Sequence, residues 1–155
     1  MLFHASIAAD DPERVARVIG EIWRGHHGPF YNSFIAWAGD DRGTQIEVYS
    51  RGAEIVPDSS AMSMGRNPSP SSYSPTHFAV ATPLTEEEIY ALAKREGWIA
   101  RKCDRGGAFN VIEFWLENKF MLELLTEVEQ ARYKALWQNP RIGEILRGIS
   151  TARQP

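Results

Sequence analysis

The octapeptide KFMLELLT, residues 119–126, sets Glu123 in the middle of an otherwise apolar, strand-like run. A buried, unpaired carboxylate is costly or gives up its charge, so the position needs a reason. Side chains alternate faces along a strand, which sends Phe120, Leu122 and Leu124 one way and Met121, Glu123 and Leu125 the other. Three other segments divide in the same manner. In LFHASIAA, 2–9, Phe3, Ala5, Ile7 and Ala9 oppose Leu2, His4, Ser6 and Ala8. In GTQIEVYS, 43–50, Ile46 and Val48 oppose Gln45, Glu47 and Tyr49; in THFAVAT, 76–82, Phe78 and Val80 oppose His77, Ala79 and Ala81. Each strand thus has an apolar face for a helix and a second face bearing one His or one Glu. The order is His, Glu, His, Glu, and His4 to His77 and Glu47 to Glu123 span nearly equal lengths of chain, as duplicated halves would. If the sheets curl around a common axis, His4, Glu47, His77 and Glu123 converge on one divalent cation, which would compensate the charge at Glu123.

The surrounding segments repeat as well. DDPERVARVIGEIWRG, 10–25, predicts a helix capped by Asp11, with Pro12 in its first turn and Val15, Val18, Ile19 and Ile22 at helical spacing. LTEEEIYALAKREG, 84–97, predicts a second helix with a Thr85–Glu88 capping box and Gly97 as terminator. SFIAWAG and GTQIEVYS form a hairpin around Asp40–Gly43, and WIARKC, FNVIEFWLE and KFMLELLT give three further strands. Parity groups Val111, Glu113 and Trp115 on one side of FNVIEFWLE. The segment holding His26, His27, Gly28 and Pro29 reads as a loop, leaving one strand of the first copy unassigned. The expected organisation is a first module over 1–55, a Ser/Pro-rich linker or flap over 56–75, a second module over 76–126, and C-terminal helices over 127–155. The helices break at Pro140, and Ile142, Ile145, Leu146 and Ile149 form an apolar stripe expected to pack on its own domain.

Composition narrows the function. A chain of 155 residues with net charge -3 and scattered basic residues shows no footprint for nucleic acid. No apolar run approaches a bilayer span, the start lacks the pattern of a signal peptide, and the single Cys103 excludes an internal disulfide framework and fits a reducing cytosol. Cys103 reads as an incidental thiol, because no activating neighbour is legible around it.

Over about Leu2 to Thr126 the sequence resembles the vicinal oxygen chelate superfamily, which includes glyoxalase I, methylmalonyl-CoA epimerase, extradiol dioxygenases, fosfomycin-resistance enzymes and bleomycin-resistance proteins. The resemblance rests on His4 in LFHASIAA, Glu47 in TQIEVYS, His77 in THFAVAT and Glu123 in FMLELLT, in glyoxalase-like order. It implies an α+β fold of paired βαβββ modules forming a cupped mixed sheet, with a C-terminal helical extension. It also implies a zinc, nickel, manganese or iron ion held by those four residues, and lyase or isomerase chemistry on a small oxygenated molecule through a metal-stabilised enediolate. Glu123 would be ligand and base, with Glu47 its counterpart. Trp37, Tyr49, Glu113 and Trp115 are candidates to line the substrate pocket. Ala8 and Arg51 stand where related glyoxalases carry glutathione contacts, which argues against a glutathione substrate. A homodimer is expected, with the site inside one chain or between two. The alternative is a metal-free cup that sequesters a ligand, as the bleomycin-resistance proteins do.

Overall fold

The computed structural model describes residues 2–151, with side chains described through residue 148. Two modules of the same design account for most of it. The first runs β1 (His4–Ala9), α1 (Pro12–Trp23), β2 (His26–Phe30), β3 (Ser33–Trp37) and β4 (Gln45–Ser50), in the sheet order β1-β4-β3-β2. After a hairpin of β5 (Ala53–Pro57) and β6 (Met62–Arg66) comes the second: β7 (Phe78–Ala81), α2 (Glu86–Glu96), β8 (Ile99–Asp104), β9 (Asn110–Leu116) and β10 (Phe120–Leu125), ordered β7-β10-β9-β8. In each sheet the first strand pairs in parallel with the last and the remaining pairs are antiparallel. α3 (Glu127–Trp137) and α4 (Ile142–Thr151) close the chain. Among the described residues no helix is long and apolar enough to cross a membrane.

The expected capping signals operate. The Asp11 side chain accepts from Arg14 N, and Thr85 and Glu88 form a reciprocal capping box before α2, which ends at left-handed Gly97. Two expectations change. His26–Phe30 is a strand despite Gly28 and Pro29, because it lies at the edge of its sheet, where a missing N–H is tolerated. The Ser/Pro-rich region opens with a hairpin: Ala53, Ile55 and Pro57 pair with Arg66, Met64 and Met62, and Asp58 N closes the turn onto Ala61 O.

α1 determines how the modules meet. Val15, Ala16, Val18, Ile19 and Ile22 are all fully buried, and they share one core with Ile7, Ile46 and Val48 of the first sheet and Phe114, Leu122 and Leu124 of the second. The ends of α1 are tied to the second module. Glu117, in the left-handed β9–β10 turn, accepts from Asp10 N and Asp11 N at 2.7 Å each, an anion at the helix start. At the other end buried Thr82 Oγ1 donates to Ile22 O. α1 and α2 run antiparallel side by side, joined by Arg14–Glu96, Arg17–Glu96, Arg95–Glu21 and Arg24–Glu88. The helices therefore lie between the two sheets.

Glu96 is the buried member of that network, its side chain 4% exposed. Burial by itself would raise its carboxyl, but hydrogen bonds from Arg14, Arg95 and Arg17 outweigh that and hold it at about 2, against an ordinary 4.5. A depressed folded value means a contribution present above the unfolded value and lost as pH falls through the folded one. Glu96→Gln is expected to cost about 2 kcal/mol at pH 7 by chemical denaturation, with the gap from wild type closing between pH ~4.5 and ~2.

Candidate functional site

The face of each sheet turned away from the helices carries the polar residues picked out by parity. On the first, register aligns His4, Gln45, Trp37 and His26 in one row across the four strands, and Ser6, Glu47, Ile35 and Gly28 in the next. Trp37 and His26 lie ring to ring at 5.4 Å. On the second, Ala79, Glu123, Glu113 and Arg101 share a row. Glu47 pairs with Ser6, two residues after His4, and Glu123 pairs with Ala79, two residues after His77. The His-to-Glu offset is therefore the same in both modules. Diagonal positions of this kind lie on one face of adjacent strands.

Residues of each pair have contacts of their own. Glu47 Oε2 accepts from Ser6 Oγ at 3.1 Å and from Tyr49 Oη at 2.9 Å. Burial and then Glu47 push the Tyr49 phenol above its usual range. His77 Nδ1 donates to Pro75 O at 2.9 Å. A neutral imidazole bound in this way presents Nε2 as a lone pair, the usual arrangement of a metal-binding histidine. Glu123 is paired with Arg105, whose Nη2 lies 2.5 Å from Glu123 Oε1 and 2.8 Å from Glu113 Oε1. Arg105 holds the Glu113 carboxyl below its ordinary range, and Cys103 lies beside them. Sequence did not point to Arg105. The available signal was that Glu113 and Glu123 face each other once β9 and β10 form a hairpin, and like charges so placed call for a cation.

The helix layer sends these faces in opposite directions. His4, Glu47, Trp37 and Tyr49 lie on one outer face, and His77, Glu123, Glu113 and Trp115 on the other. Among the described residues no three His, Cys, Asp or Glu side chains stand close enough to share a metal ion. The four residues expected to share one ion therefore stand as two separate His–Glu pairs within one chain. His4 and His77 do border one groove, of about 1080 Å³, that follows the open edges of β1 and β7 and is lined also by Trp23, Ile46, Phe78 and Tyr133. α3 covers a corner of the second face, where Tyr133 and Leu136 pack on Phe109, Val111 and Leu125. Of the stripe expected to pack on its own domain, Ile145 and Leu146 are 37% and 42% exposed. The Ile149 side chain lies outside the described residues.

No family model matches the chain, and no curated protein matches it in sequence. Solved structures do match in fold. The fosfomycin resistance protein FosX from Mesorhizobium loti aligns at 16% identity over 86% of this chain and 96% of its own, with a TM-score of 0.52. FosX from Listeria monocytogenes aligns at 15% over 85% and 97%, TM-score 0.53, and the oxidase ChaP-H1 at 16% over 82% and 95%, TM-score 0.50. The chain has the α+β vicinal oxygen chelate fold of paired βαβββ modules.

Burial, then Glu113, raises the Cys103 thiol above its ordinary value, so little of it is thiolate near neutrality. A disulfide reagent such as Ellman's is expected to react with the native chain at pH 8 much more slowly than with the chain in denaturant. Glu113→Gln should speed the native reaction. Native and denatured rates that coincide would contradict this description of the site.

Proposed function

We propose that the chain works as a homodimer of the vicinal oxygen chelate type. Each site takes His4 and Glu47 from one copy and His77 and Glu123 from the other, and acts as a divalent-metal-dependent, glyoxalase-like lyase or isomerase on a small oxygenated molecule. The observation that carries this reading is the repeated register: the same His-to-Glu diagonal occurs on both outer faces, too far apart to serve one ion within a chain. The open edges of β1 and β7, bordered by both histidines, are where a second copy would join them. The metal would supply a Lewis acid for oxygens of the substrate. The chain's residues do the rest. Pro75 O fixes the His77 ring, Ser6 and Tyr49 orient Glu47, and Arg105 orients Glu123. Glu47 and Glu123 are the groups placed to take a proton from a carbon beside a carbonyl. Trp37, Tyr49, Glu113 and Trp115 select the substrate. Zinc, nickel, manganese and iron all suit this nitrogen and oxygen donor set. Related structures described as fosfomycin resistance proteins and an oxidase support chemistry on small molecules. Arg51, engaged by Asp10 and Glu117 where the modules join, supports a substrate other than a glutathione conjugate.

One observation favours the metal-free alternative: Arg105 already compensates Glu123. A mixing experiment separates the readings. His4→Ala and His77→Ala dimers should each lose stoichiometric metal. In a randomly exchanged mixture half the pairs are mixed, and each mixed pair holds one intact site, so about a quarter of the wild-type metal should return. A dimer that takes up no metal in the wild type supports the sequestering cup, and recovery of nothing from a metal-binding wild type places the site within one chain.

A further inference from the structure

We infer that Arg105 is a built-in counter-cation for the Glu113–Glu123 pair and a positioning residue that competes with an incoming divalent cation for Glu123. This rests on the metal-dependent reading above. Glu113 and Glu123 are direct partners on antiparallel β9 and β10, on the same face, a placement in which like charges repel. Arg105 Nη2 reaches Oε1 of both, and Nε adds a second contact to Glu123 at 3.2 Å. The approach is fixed by the turn between β8 and β9. Gly106 and Gly107 take positive φ of 67° and 74°, Asp104 accepts from Gly107 N, and Arg105 N donates to Phe109 O at 2.9 Å. A guanidinium delivered by such a turn arrives in one place, over the outer face, and its planar fork suits two carboxylates at once.

The arrangement gives Arg105 two holds of different consequence. A cation that claims Glu123 displaces the guanidinium from that carboxylate, yet Arg105 keeps Glu113 and stays paired. Glu113 is therefore the resting place that makes release of Glu123 inexpensive, and removing it leaves Arg105 with Glu123 alone. The two substitutions should move cation affinity in opposite directions, which a merely structural role for the cluster would not do.

Titration of Mn²⁺ into chelator-treated dimer by calorimetry tests this, with folding checked by circular dichroism. Arg105→Gln is expected to bind at least about tenfold more tightly than wild type, and Glu113→Gln about tenfold more weakly, a factor equivalent to about 1.4 kcal/mol each. Arg105→Lys, which keeps the charge and loses the fork, should fall between wild type and Arg105→Gln and serves if the glutamine variant does not fold. Affinities that shift together, or do not shift while wild type binds Mn²⁺, overturn the role of Arg105 and leave the metal site standing. No binding by wild type or by any variant overturns the metal reading and this inference with it.

Discussion

The structure depends on the packing of α1 against both sheets. One helix, with Val15, Val18, Ile19 and Ile22 fully buried, provides apolar surface to its own module and to the second. Burial on this scale is the main favourable term in folding, at roughly 25 cal/mol per Å² of apolar area, and the chain concentrates it in a single layer. Everything about the site follows from that choice. With the inner faces of both sheets committed to the shared core, the polar faces are turned outward and away from each other. The first strand of each module is left as an open edge, and the groove beside those edges is bordered by an imidazole from each half.

Charge is managed consistently around this layer. Three carboxylates are largely covered by the surrounding chain, and each is met by arginine. Glu96 receives Arg14, Arg17 and Arg95; Glu117 receives Arg51 while capping α1; Glu123 receives Arg105. Glu123 interrupts an apolar strand at little cost because it lies on the outer face beside a guanidinium. Its electrostatic requirement is met within the chain, and any further cation is an exchange of partners rather than the neutralisation of a bare charge.

The local code was legible where short-range physics decides. Period-two alternation placed His4, Glu47, His77 and Glu123 on the correct faces, and Asp11, Thr85 and Glu88 marked helix starts that the structure retains. Edges and long-range choices were less legible. β2 was hidden by Gly28 and Pro29, which an edge strand accepts and a central one does not. The β5–β6 hairpin was hidden by the Ser and Pro residues around it, although Ile55, Met62 and Met64 keep strand periodicity. Arg105 was missed because it lies in a turn, and its role exists only once β9 and β10 are paired. Nor can alternation reveal whether two cupped faces look toward each other or apart. That is set by which helix covers which sheet, and here by the breadth of the apolar surface on α1.

Cross-linking with isotopic mixing tests the central claim most directly. Ser6→Cys and Ala79→Cys, introduced together on a Cys103→Ser background, put one thiol beside each glutamate on the open strands β1 and β7. Equal amounts of ordinary and ¹⁵N-labelled protein are allowed to exchange and then treated with a short bismaleimide. Outward-facing halves that meet only between copies predict cross-linked peptides that join position 6 to position 79 and carry one ordinary and one labelled partner. Cross-links found only between peptides of the same label would show that the two halves face each other within one chain, and would contradict the account.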